Sequence, residues 1–74
     1  LQAGKVDKAA RVWEEMVKAS PNDARAHAAL GVAYARSGRP EEGIREIEKA
    51  IELEPNFKSD GEAIIQGIRS GQIK

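Results

Sequence analysis

Two short stretches of this chain repeat each other. Ser20-Pro21-Asn22-Asp23 is echoed by Glu54-Pro55-Asn56-Phe57, so that Pro21 and Asn22 both return after 34 residues. Gly4 and Gly38, Ala9 and Gly43, Trp13 and Ile47, and Met16 and Ala50 are related by the same interval. Long apolar side chains are matched to apolar ones. A unit of this length cannot bury its apolar face alone and does so by stacking on its neighbours. The period therefore predicts a solenoid and not a closed bundle. The whole chain has 74 residues, so one domain is the ceiling. A chain this short buries little surface without such stacking.

The repeat also sets boundaries. Pro40, Glu41 and Glu42 open a helix, with proline in the first turn and acids at the positive end of the dipole. Ile44, Ile47, Ala50 and Ile51 form its apolar stripe, and Pro55 follows its end. Glu41 and Arg45 make a favourable i,i+4 pair. The equivalent earlier helix spans about Lys5 to Ala19, with Val6, Ala9, Trp13, Met16 and Val17 inward. Between the two lies a helix from about Asp23 to Ser37, capped by Asn22 or Asp23 and stopped by Gly38. A fourth helix follows Pro55. Ser59-Asp60-Gly61-Glu62 reads as its capping box, with fraying expected beyond Ser70. The reading is all-α: about four helices in antiparallel hairpins.

Composition agrees and removes several functions. Aromatic residues are 4% of the chain, and there is no cysteine, so disulfides and thiolate metal sites are excluded. One histidine excludes a multi-histidine site. The lack of cysteine fits a reducing compartment such as the cytoplasm. Twelve basic residues balance twelve acidic ones, which argues against nucleic acid or an anionic membrane as partner. No apolar run approaches a membrane span of about 20 residues. The start lacks both the apolar core of a signal peptide and a methionine, so the chain reads as a fragment or a processed product.

The pattern resembles the tetratricopeptide repeat, a helix–turn–helix unit of 34 residues. The W-x2-L-G-x2-Y of the family's first helix is matched by His27-x2-Leu30-Gly31-x2-Tyr34. Its second-helix pattern, A-x3-F followed by A-x4-P, is matched by Ala9, Trp13, Met16 and Pro21, and again by Gly43, Ile47, Ala50 and Pro55. The match covers about 57 of the 74 residues. His27 in place of tryptophan, Gly43 in place of alanine and Met16 in place of a small residue are departures, and Gly43 is expected to lower stability. The resemblance implies a short right-handed solenoid. Residues 1–23 supply the second helix of a partial repeat, 24–57 a complete repeat and 58–74 a terminal capping helix. Gly31 then permits close crossing of two helices, with Leu30, Ala33 and Tyr34 packing on Ile44, Ile47 and Ile51.

No cofactor, metal or catalytic site is expected. His27 stands beside no serine in sequence, and Glu14-Glu15 and Glu41-Glu42 read as solvated helix surface. Neither a phosphate loop nor metal-ligand spacing is present. The resemblance implies a module that binds another protein or peptide in a concave groove lined by first helices. Its residues here are Arg25, Ala28, Val32 and Arg36, with Ala35 between them and Glu62, Gln66 and Arg69 on the last helix. Arginine forks onto carboxylates and lies over aromatic rings, so the groove is expected to take a peptide with an acidic group and small apolar side chains. Chaperone-binding members clamp a terminal carboxylate with a lysine and an asparagine one turn apart. Ala28 and Val32 hold those positions, which argues against that clamp. The segment Pro40–Phe57 carries a local charge of −4 and is assigned to the outer, convex side. Val6, Trp13 and Val17 are expected to be partly exposed for want of a preceding helix, which would allow self-association. Two other expectations stand beside the adaptor reading: an accessory docking domain of a larger enzyme, and a self-associating assembly unit.

Overall fold

The computed structural model describes residues 2–71, with side chains from Lys8 onward. Four helices follow one another: α1 (Gln2–Ala19), α2 (Ala24–Arg36), α3 (Pro40–Leu53) and α4 (Lys58–Arg69), with a 3-10 turn at Pro55–Phe57 before the last. Each helix packs on the next in sequence. Among the described residues α1 touches α2 and neither α3 nor α4, while α2 meets α4 only marginally. That order of contacts, with Cα extents of 36 × 30 × 14 Å, is a stacked layer of hairpins and not a closed bundle.

Local chemistry explains the boundaries. Asp23 is extended and its carboxylate accepts from the Arg25 N–H at 3.0 Å, capping α2. At the other end Gly38 takes φ +84°, and the N–H groups of Gly38 and Arg39 donate back to the carbonyls of Ala35 and Tyr34. These two bonds close the helix in a Schellman arrangement. Pro40 starts α3 at once, with Glu41 and Glu42 in its first turn. The capping box expected at Ser59 is not formed. The Phe57 N–H donates to the Glu54 carbonyl, and the 3-10 turn runs directly into α4, so Ser59 is already helical and no side chain caps the helix.

The core has two parts, divided by α2. On one side Leu30 and Ala33 bury against Ala10, with Trp13, Val17 and Tyr34 packed around them. On the other, Ala35 joins Ile47, Ile65 and Ile68, with Ile44, Ile51, Phe57 and Ile64 at the margin. This corrects the expected pairing: Leu30, Ala33 and Tyr34 serve the contact with α1, and the isoleucines of α3 are met by Ala35, Gly31 and α4. The reason is geometric. Residues 30, 33 and 34 lie on one face of α2, and Gly31 and Ala35 on another.

The α2–α3 contact turns on two glycines. A Cβ on Gly31 would lie 2.7 Å from the Gly43 carbonyl oxygen and 2.8 Å from Ile47 Cδ1. A Cβ on Gly43 would lie 2.5 Å from the Gly31 carbonyl oxygen. Each glycine is therefore pressed against the other's backbone. Gly43 was expected to lower stability, but an alanine there would force the helices apart. Ile47, fully buried beneath the crossing, depends on the same approach.

Gly31→Ala and Gly43→Ala should each destabilise the fold by about 1–3 kcal/mol, although alanine gains about 1 kcal/mol in helix propensity. Urea unfolding followed by circular dichroism measures this. A raised midpoint for either variant would contradict the close crossing.

Candidate functional site

Residues on α2 form the centre of every polar feature in the interior. His27 is 5% exposed and has both ring nitrogens engaged. Nδ1 lies 2.8 Å from Glu46 Oε1 on α3, and Nε2 lies 2.7 Å from the Pro21 carbonyl oxygen in the α1–α2 turn. Lys49 reaches the other oxygen of Glu46 at 3.7 Å. The histidine thus ties three elements together, and among the described residues no buried polar side-chain atom is left without a partner. A side chain so fully engaged is structural.

Tyr34, one face round, donates its hydroxyl to Glu14 Oε2 on α1 at 2.5 Å, and the Arg39 guanidinium lies 5.1 Å from its ring centre. Burial pushes the phenol up from 10.0 to about 12, and the hydrogen bond and charge of Glu14, with the charges of Glu46 and Glu42, act in the same direction.

The open surface carries two sets of groove residues in separate clefts. Arg25 and Ala28 line a cleft of about 530 Å³ with Asp23, Leu53 and Phe57. Ala28 is half-buried and Leu53 is 38% exposed, so the floor is apolar. Arg25 makes no ion pair among the described residues. Glu62, Gln66 and Arg69 line a different cleft, with Glu48 and Ile65. Arg69 also borders a third, with Pro40, Ile44, Arg45 and Ile68. Val32 is half-buried and Arg36 exposed. Ala35 is buried by the contact with α3 and α4, so it does not belong to an open groove floor.

Sequence reasoning missed Leu53 and Phe57. Their signal was available: two large apolar residues flank Pro55 at the end of a helix that otherwise ends in glutamates. The exposed side of α1 extends beyond the residues singled out from the sequence. Trp13 and Val17 are half-buried against α2, and the exposed large side chains are Val12 and Met16. The side chain of Val6 lies outside the described residues. Among those residues no group of three or more acids and histidines could hold a metal ion, and no helix is long and apolar enough to cross a membrane.

The family model for the tetratricopeptide repeat matches residues 1–57. The chain is 38% identical over 53 residues to Hsp70-Hsp90 organizing protein 3 of Arabidopsis thaliana, which covers 72% of this chain and 10% of that protein. It is 39% identical over 57 residues to the heat shock protein sti1 homolog of Schizosaccharomyces pombe, covering 77% and 10%. The chain thus spans about a tenth of the length of these relatives. No solved structure matches it at comparable significance.

Two measurements follow from the interior. His27→Ala removes the ring that bridges Glu46 and the Pro21 carbonyl and should cost about 2–4 kcal/mol of stability, read by urea unfolding. The chain has one tyrosine, so absorbance near 295 nm reports Tyr34 alone. Its ionisation should centre near pH 12 in the folded chain and near 10 in urea. The folded state holds the phenolic proton more tightly, so this contribution to stability is complete below pH 10 and lost as pH rises towards 12. A folded-state midpoint near 10 would refute the Glu14 contact.

Proposed function

We infer the function from one premise: the chain belongs to the tetratricopeptide repeat family. Its role is that of a protein-interaction adaptor, and its ligand is a segment of another protein. We place the principal contact at the cleft beside the start of α2. The observation that carries this is the pairing of Arg25, which makes no ion pair among the described residues, with the apolar floor of Ala28, Leu53 and Phe57 in one space of about 530 Å³. Such a cleft takes an apolar side chain while the guanidinium holds a neighbouring carboxylate in a bidentate pair. Val32 and Arg36 extend the contact along α2.

The relative from Arabidopsis thaliana is named for organizing Hsp70 and Hsp90. This chain has Ala28 and Val32 where chaperone-binding members of the family place their carboxylate-clamping pair. The ligand of this repeat is therefore read from Arg25 and the apolar floor, and the clamp is not carried over.

Selection of short random peptides displayed on phage tests the assignment. Bound sequences should be enriched in aspartate or glutamate next to leucine, isoleucine or valine. Their affinity should fall about tenfold with Arg25→Glu, and again with Leu53→Asp, while circular dichroism stays unchanged. Binding that ignores both substitutions would place the site elsewhere.

A further inference from the structure

The repeat sets two helix junctions side by side. Pro21 and Asn22, where α1 passes into α2, return as Pro55 and Asn56, where α3 passes into α4. Around them Ala19, Ser20 and Asp23 are replaced by Leu53, Glu54 and Phe57. Those three form one wall of the cleft beside α2. The start of α2, with Asp23, Arg25 and Ala28, forms the wall that faces them.

The fold accounts for only part of this replacement. Phe57 packs on the isoleucine core. Leu53, however, is 38% exposed where the first junction has alanine. Glu54 is exposed and its carboxylate makes no ion pair or hydrogen bond among the described residues. Lys58 follows four residues later, but Glu54 is extended (φ −136°, ψ 88°) and precedes α4, so the pairing of neighbours on a helix face is not open to them.

Three charges therefore line the space. Asp23 is satisfied within its own wall, where it accepts the Arg25 N–H at the positive end of the α2 dipole. Arg25 and Glu54 stand on facing walls and pair neither with each other nor with another described residue. A peptide that is only acidic gains Arg25 and meets Glu54 across the same cleft, where repulsion offsets attraction. A peptide that also brings a cation to Glu54 gains at both walls. Its apolar side chain fills the floor of Ala28, Leu53 and Phe57 between them. Glu54 thus acts against the wrong ligand as well as for the right one.

We propose, on the basis of the cleft assigned above, that the ligand is a dipolar peptide segment, acidic on one side of its apolar residue and basic on the other, and that Glu54 reads the base.

Random peptides displayed on phage, selected in parallel on the parent chain and on Glu54→Lys, test this. Parent selections should be enriched in lysine or arginine on the side of the apolar residue away from the aspartate or glutamate. Selections on Glu54→Lys should carry an acid there instead. The best parent peptide, synthesised with a fluorescent label, should bind Glu54→Lys about tenfold more weakly by anisotropy. Exchanging its base for glutamate should bring affinity for that variant back to within about threefold of the parent pair. Helicity should not change, because Glu54 is exposed and lies outside the helices. Parent peptides that carry acids and no base, yet respond to Arg25→Glu and Leu53→Asp, would overturn the dipolar ligand and leave the cleft in place. A charge exchange that fails to recover affinity would overturn it too. No selected peptide, or peptides indifferent to Leu53→Asp, would overturn the cleft itself and the dipolar ligand with it.

Discussion

The backbone-to-backbone crossing of α2 and α3 is the contact on which the other interactions depend. Gly31 and Gly43 leave no side chain between the two helices, and each presses on the other's carbonyl oxygen. A helix pays about 1 kcal/mol for each interior glycine. What it gains is distance: the approach seals Ile47 completely and places Glu46, one residue earlier, within 2.8 Å of His27. Moving the helices apart would open the core and break a buried polar bond together, so the two effects reinforce each other.

His27 carries that coupling beyond the pair. Its second nitrogen holds the Pro21 carbonyl, which fixes the turn between α1 and α2. Tyr34 does similar work from the next face by donating to Glu14. The orientation of α1 on α2 is therefore specified by two polar contacts as well as by the Leu30–Ala33–Ala10 cluster. Apolar packing alone tolerates sliding, and directional bonds at both ends of a helix do not. This also bears on binding. The Arg25 cleft is built from the start of α2 and the end of α3, so its shape is set by the rigid crossing and not by a loop.

Most of the fold was legible because the repeat compares the chain with itself. Helix identity and most helix ends followed from Pro40, Gly38 and Asp23, whose local chemistry leaves little choice. The start of α4 was not legible. A serine followed three residues later by glutamate has the form of a cap, and only the 3-10 turn at Pro55–Phe57 shows that the helix has already begun. Facing was the harder problem. Leu30, Ala33 and Tyr34 were assigned to α3 because the glycine between them marks a close contact, yet the glycine and the leucine point to different neighbours. The surface residues were least legible. Arg25 and Ala28 share a cleft while Glu62, Gln66 and Arg69 occupy another, and this depends on how far α4 rotates against α3.

The two second-type helices, α1 and α3, share a pattern and differ where it matters. α3 has a carboxylate, a glycine and an alanine where it meets α2, a surface made for one histidine-bearing helix at close range. α1 has Val12, Ala9 and Met16 at the same places, with no buried polar group to satisfy. A contact with a directional bond fixes one partner in one register. A contact of methyl and thioether groups adapts more readily, since methionine fills irregular spaces at small cost. The helix pair that forms the cleft is thus held by a directional polar bond as well as by close packing.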